Sequence, residues 1–331
     1  MRRLHLLTLS VLAAACSPSV PAGDAPATVM TAPAPPIPAL GGRPIVAVAV
    51  GDAVCQNANP IDDSCHQGDV AALVDTLAPD VLFFLGDLQY PTGALADFRK
   101  YFEPAFGRFR AIIRPVPGNH EYLTPDGDGY FDYFNGPGAA DGIAGNRARG
   151  YYSFEAGRWH VVAINSNCDR IGGCAAGSAQ ERWLRGDLLA HPGQCILAYW
   201  HHARFSSGGH GDSPEMRAIW QTLENAGADL VLAGHDHDYE RFAPQRSDGT
   251  RDDRDGIRSF VVGTGGFNLR AFGRARSVSE VRFNDSYGVL RLTLDSTGYS
   301  WRFLSTPGGR TRDEGEAACH LKPASAGSTP R

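Results

Sequence analysis

The residues of this chain best suited to chemistry are Asp52, Asp87, Tyr90, Asn119, His120, His201, His235 and His237. Each follows a short apolar run, and most sit in a glycine-containing cluster: Gly51-Asp52, Gly86-Asp87-Leu88-Gln89-Tyr90, Gly118-Asn119-His120 and Gly234-His235-Asp236-His237. Singly they say little. An Asp after a strand is commonly a turn former, and a lone buried His is more often a hydrogen-bonded core residue than a ligand. Gathered together, so many desolvated carboxylates and imidazoles are costly unless cations neutralise them. A pair of divalent or trivalent metal ions removes that cost. The donors are nitrogen and oxygen without thiolate, a set that suits Fe, Zn or Mn.

The elements that must position these groups can be read from the apolar runs. Ile45–Val50, Val81–Leu85, Ala111–Val116, His160–Ile164, Cys195–Trp200, Leu230–Ala233 and Phe260–Val262 are short and rich in β-branched and aromatic residues. Continuous runs of this length suit strands buried on both faces. Between them lie helix-like stretches over Gly68–Leu77, Ala179–Ala190 and Pro214–Ala226, the last with Ser213 as a candidate N-cap. That alternation predicts an α/β fold, with the site beyond the C-terminal ends of the strands. Gly288–Asp295 and Tyr299–Leu304 alternate in polarity and read as antiparallel edge strands closing the sheet. Tyr122–Gly150 is long, Gly-rich and weakly patterned, which predicts a loop or lid on the substrate side.

The ordered motifs Gly86-Asp87-Leu88-Gln89-Tyr90, Gly118-Asn119-His120-Glu121 and Gly234-His235-Asp236-His237, with a histidine-ended strand before the last, resemble the calcineurin-like metallophosphoesterases. Within them the purple acid phosphatases are the nearest pattern. The resemblance runs from Ile45 to Leu304, and Tyr151-Tyr152-Ser153-Phe154, Gly157 and His160–Ser166 look like the family's central strands. It implies a four-layer α-β-β-α sandwich over 45–320. It also implies ligand roles: Asp87 bridging two metals, Asp52, Tyr90 and His237 completing the first site, and Asn119, His201 and His235 completing the second. His120 would stand outside the ligand set near the leaving group. His210 matches a histidine that helps bind phosphate in plant members, and equally suits a solvated loop histidine. Two departures matter. Asp52-Ala53-Val54 lacks the ligand His of the wider superfamily and the Gly of the purple acid phosphatases, which leaves Tyr90 as the substitute ligand. His201-His202-Ala203 lacks the usual Pro, so His201 is preferred over His202 on position.

The implied chemistry is hydrolysis of a small phosphorylated substrate. Two metals about 3.5–4 Å apart can share a hydroxide and clamp phosphoryl oxygens. Fe is expected in the first site, where Tyr90 requires a strongly polarising cation, and Zn, Mn or Fe in the second. A phosphomonoesterase is the leading reading. A phosphodiesterase acting on nucleotides or lipid headgroups, and a surface-anchored binding protein with a vestigial site, are the rivals.

The rest of the chain fits an exported enzyme. It has 331 residues, 43% of them hydrophobic, enough for a large core. A net charge of -5 argues against nucleic acid as a partner. Arg2 and Arg3, the apolar run Leu4–Ala15 and Ala13-Ala14-Ala15 read as an export signal. Leu12-Ala13-Ala14-Ala15-Cys16 resembles a lipoprotein box, which predicts a lipid anchor at Cys16. An Ala- and Pro-rich linker over 17–44 and a disordered tail over 321–331 are expected. Setting Cys16 aside leaves Cys55, Cys65, Cys168, Cys174, Cys195 and Cys319, an even number that implies disulfides in an exported protein. Proximity favours Cys55–Cys65 and Cys168–Cys174, leaving Cys195–Cys319.

Overall fold

Alternate residues of each apolar run face opposite sides, and that alternation sets the layering. The computed structural model describes residues 42–56, 65–310 and 313–320. The export signal, the Cys16 anchor, most of the linker and the tail expected from sequence lie outside these residues. Strands β1 (Ile45–Val50), β2 (Val81–Leu85) and β3 (Ile113–Val116) run parallel. A second sheet follows from β4 (Tyr152–Ala156), β5 (Trp159–Ala163), β6 (Cys195–His202), β7 (Leu230–Gly234), β8 (Tyr239–Phe242), β9 (Arg258–Val262) and β10 (Ser279–Phe283). The chain then returns to the first sheet through β11 (Gly288–Leu294), β12 (Gly298–Ser305) and β13 (Glu314–Ala318). The first sheet is ordered β13-β12-β11-β1-β2-β3 and the second β10-β8-β9-β7-β6-β5-β4.

Ile45, Ala47 and Ala49 of β1, Phe83 and Leu85 of β2, and Leu197 and Tyr199 of β6 share one buried core between the sheets. The alternate residues face outward. Val48, Val50, Leu82 and Phe84 pack with Val70 and Val74 of the helix Gln67–Leu77. Ile196, Ala198 and Trp200 pack with Leu184 and Leu188 of the helix Ala179–Ala190 and Trp220 of the helix Arg217–Ala226. Helices therefore cover both outer faces, giving the expected α-β-β-α sandwich. Each large apolar side chain so buried contributes about 1.5–3 kcal/mol relative to exposure.

Several sequence expectations shift. β11 is not an edge strand but lies inside the first sheet, between β1 and β12, with β13 as the edge. The strand Tyr152–Ala156, expected to be central, is the edge of the second sheet. Ser178 caps the helix Ala179–Ala190 by accepting from the Glu181 amide at 3.2 Å, whereas Ser213 makes no side-chain cap. The 122–150 segment is not irregular throughout. It contains the helix Asp128–Phe134, which buries Tyr130, Phe131, Tyr133 and Phe134 in the outer core of the first sheet. Arg147 ties that helix down through Asp128 and Asp132. Disulfides join Cys55–Cys65, Cys168–Cys174 and Cys195–Cys319, the pairing read from proximity.

Candidate metal centre

The C-terminal ends of parallel strands from both sheets open on one mouth. Backbone bonds lace the sheets together there: the Gly51 amide donates to Val262 at 3.0 Å, and the Gly265 amide donates to Gly51 at 2.9 Å. Asp52 and Asp87 stand one glycine past β1 and β2, His235 directly follows β7, and all three adopt left-handed backbone with φ of 59°, 46° and 75°. Such conformations cost roughly 1–3 kcal/mol in a residue other than glycine and persist where surrounding contacts hold them. Here they turn each side chain into the mouth just past the strand end. Gly118 is required for close approach, because a Cβ there would stand 2.1 Å from Asp87 Oδ1.

The structure brings the sequence-selected residues into two adjoining groups. In the first, the Tyr90 hydroxyl lies 2.9 Å from Asp52 Oδ1, 2.9 Å from Asp87 Oδ2 and 3.1 Å from His237 Nε2. In the second, His201 Nε2 lies 3.1 Å from Asn119 Oδ1, 3.1 Å from His235 Nδ1 and 3.3 Å from Asp87 Oδ2. Asp87 Oδ2 belongs to both. The strand pleat separates the neighbouring histidines: His201 is fully buried in this cluster, while His202 turns to Ser166, whose hydroxyl lies 2.8 Å from His202 Nδ1. His202 is still near enough to form a second candidate ligand group with His201 and His235.

The donor chemistry fits cations. His201 Nδ1 donates to the Leu85 carbonyl at 2.8 Å and His237 Nδ1 to the Asn268 carbonyl at 2.7 Å, so each presents Nε2 to the cluster. The single Tyr90 proton cannot serve two carboxylates and an imidazole nitrogen at once. The atoms facing one another are therefore mostly acceptors, an arrangement a cation satisfies. Electrostatics agree. Burial pushes Asp52 up, while Asp87 is held well below the ordinary carboxylate range because His201 and His120 outweigh its burial. Burial opposes a charge on His201, but Asp87 and Asp52 raise it to about 9. Burial and His201 together push His235 down, and His202 down to about 3. Burial and the two carboxylates push Tyr90 well above its usual value. A proton on His201 is the neutraliser that a metal ion would replace.

His120 stands at the rim. Its Nδ1 donates to the Pro91 carbonyl at 2.6 Å, and its Nε2 lies 3.8 Å from Asp87 Oδ2 with the side chain 27% exposed. His210 stacks on His235 with ring centres 4.1 Å apart. A cleft of about 340 Å³ opens beside Asn119 and His202, lined also by Tyr122, Asn167 and Arg170.

Some residues that shape the centre were given no role by the sequence. Buried Glu121 accepts from the amides of Asp87, Leu88 and Gly118 at 2.7–2.9 Å, fixing two ligand-bearing turns with one carboxylate. Phe267 stacks on Tyr90 at 3.9 Å, and Asn268 orients His237. Asp236 and Arg270 bracket His210. Only Glu121 and Asp236 were visible, as members of motifs without an assigned task.

The calcineurin-like phosphoesterase profile matches residues 49–239, a span holding every group just placed at the centre except Phe267, Asn268 and Arg270. A probable purple acid phosphatase of Arabidopsis thaliana is 25% identical over 210 residues, 56% of this chain and 45% of its own. This chain thus spans less than half the length of that relative. A barley (Hordeum vulgare) nucleotide pyrophosphatase/phosphodiesterase is 23% identical over 272 residues, 71% of this chain and 70% of its own. The structure of a purple acid phosphatase from yellow lupin (Lupinus luteus) seeds superposes with a TM-score of 0.70 at 18% identity, covering 83% of this chain and 54% of that one. That likeness is one of fold.

Proposed function

The chain belongs to the calcineurin-like phosphoesterase family, and from that membership we propose that it is an exported, dinuclear metal-dependent phosphomonoesterase of the acid-phosphatase kind. The observation that carries the proposal is the pair of acceptor groups sharing Asp87 Oδ2. Asp52, Tyr90 and His237 would hold one cation with Asp87, and Asn119, His201 and His235 the other. Fe is proposed for the tyrosine-bearing site and Zn, Mn or Fe for its neighbour. Bound there, two cations supply charge to phosphoryl oxygens and make water acidic enough to attack near neutral pH. The protein's own contribution is positional. Leu85 and Asn268 fix the imidazole orientations, and Glu121 fixes the turns that carry Asp87 and Asn119. His120, held through Nδ1, keeps Nε2 toward the mouth, where it can protonate a departing alkoxide.

The substrate proposed is a small phosphate monoester. The likeness to the barley nucleotide pyrophosphatase/phosphodiesterase favours a second reading, a nucleotide phosphodiesterase. Purified protein assayed for metal content, with an aryl phosphate and its bis-aryl diester side by side, tests both. Two bound metals and faster monoester turnover are expected. Faster diester turnover would install the second reading, and a metal-free, inert protein would leave only a binding protein with a vestigial site. Export is supported by the three disulfides and by the leader-like start, and anchoring at Cys16 is testable by palmitate labelling of wild type against Cys16→Ala.

A further inference from the structure

We propose that Arg270, aimed by an Asp236–His210 pair, is the anion-binding residue that makes this site prefer dianionic phosphate monoesters over monoanionic diesters. The inference rests on the phosphoesterase reading above and adds to it the group that chooses between its two substrate classes.

Asp236 is buried, and its Oδ1 accepts from the His210 amide at 2.8 Å. The same oxygen lies 3.1 Å from His210 Nδ1, so that nitrogen donates and the proton of the neutral ring is placed there. His210 Nε2 is then an acceptor, and the Arg270 guanidinium donates to it from Nη1 at 3.1 Å. In this geometry His210 has no second proton to offer a phosphate oxygen. The cation beside the centre is the arginine behind it. Because the His210 ring stacks on His235, the guanidinium lies one ring away from the second acceptor group. The Arg270 backbone is pinned on both sides: its amide donates to His237 at 3.0 Å, and its carbonyl accepts from Asn284 Nδ2 at 2.7 Å.

Arg270 is exposed and forms no ion pair with a carboxylate among the described residues. A neutral imidazole occupies one of its five N–H donors, and a planar fork suited to phosphate oxygens remains. An ordinary surface arginine would not need its backbone and one donor fixed to two site histidines. A monoester dianion carries one more negative charge than a diester, so an added fixed cation favours the monoester. Arg270 lies outside the 49–239 family span, in the 263–278 loop between β9 and β10.

The test compares metal-loaded wild type with Arg270→Met, Arg270→Lys, His210→Ala and the His210→Ala/Arg270→Met double variant. Readouts are KM and kcat for an aryl phosphate and its bis-aryl diester, metal content, and calorimetric Kd for inorganic phosphate. Arg270→Met should raise the monoester KM and the phosphate Kd about 10- to 100-fold, the loss of one charge-assisted contact, with kcat and metal content little changed. The diester should suffer less. Arg270→Lys should fall between, and the double variant should be no worse than Arg270→Met, because His210 acts through the arginine. Equal losses on both esters, or an unchanged phosphate Kd in Arg270→Met, would overturn the proposal. A wild type inert to both esters would overturn the phosphoesterase reading instead, and the phosphate calorimetry would still decide on Arg270.

Discussion

Asp87 and His120 are joined by one hydrogen bond, from the His120 amide to Asp87 Oδ1 at 2.9 Å, yet replacing them should do different things. Asp87→Asn removes the charge shared by both acceptor groups. Metal content and turnover should fall together, turnover by more than the roughly 10–100-fold typical of an outer-sphere partner. Two metals retained at near wild-type turnover would reject the shared role. His120→Ala leaves every proposed ligand in place. Turnover should slow by about 10²–10⁴-fold with metal content intact, and metal loss would make His120 a ligand. Tyr90→Phe keeps the ring on Phe267 but deletes the oxygen facing Asp52 and Asp87. If iron occupies that site, the oxidised protein should show a visible tyrosinate charge-transfer band that Tyr90→Phe abolishes. An iron-loaded, active, colourless protein would remove Tyr90 from the ligand set. These residues were legible because they are ligand types beside glycines at strand ends. Glu121 was not, because it works on backbone amides, and any carboxylate in a motif looks alike until its acceptors are located. The surroundings of His210 were hidden for a similar reason: its Nδ1 meets Asp236, a partner 26 positions away.

At the scale of elements, His160 of β5 clamps three pieces together away from the metal centre. Its Nδ1 lies 2.8 Å from Glu155 on β4 and its Nε2 2.7 Å from Asp187 on the helix Ala179–Ala190. His191 stacks on it at 4.0 Å, and the Ser153 hydroxyl donates to the other Asp187 oxygen. Burial alone would lower the His160 pKa, but the two carboxylates outweigh it and raise it from 6.5 to about 9. The folded value exceeds the unfolded one, so the clamp's stabilisation is complete below about pH 6.5 and is lost as pH rises through about 9. Denaturant titrations of wild type and His160→Gln at pH 6, 8 and 10 should show their gap shrinking by about 1–3 kcal/mol across that range, discounted for the partly exposed Glu155. A gap that holds constant with pH would mean the clamp is not an ion pair. The parent strand β5 was readable from its apolar run, but the clamp was not, since it joins residues on three elements. Other elements were hidden for local reasons. Glu314–Ala318 has no apolar pattern because it is an edge strand, and Asp128–Phe134 is too short and Gly-interrupted to show a helical period.

Across the whole molecule, nine of the thirteen described strands were legible as apolar or alternating runs, but the partition into two sheets came from the family resemblance and not from the runs themselves. Runs such as Val81–Leu85 are apolar at every position because an inter-sheet core lies on one face and helices on the other, which erases the alternation that would reveal a partner. The Cys195–Cys319 disulfide crosses that partition. Cys195 opens β6 in the second sheet, and Cys319 follows β13 at the edge of the first, 124 positions later. Because β6 runs from Cys195 to His202, the bridge sits at the opposite end of the strand from His201, about 20 Å away at strand rise. Chain-entropy reasoning for so long a loop gives about 4–5 kcal/mol. A second anchor reduces what is lost on removal: Asp229 accepts from the His320 amide at 2.5 Å and from the Ile196 amide at 2.8 Å, holding the two chain segments together without the sulfurs. Cys195→Ala/Cys319→Ala should therefore lose about 2–4 kcal/mol in urea titration, while metal content and kcat at 25 °C stay at wild-type values. Unchanged stability would show that Asp229 alone secures the sheet junction. Loss of metal in the still-folded variant would show that the junction, and not only the strand ends, sets the geometry of the mouth.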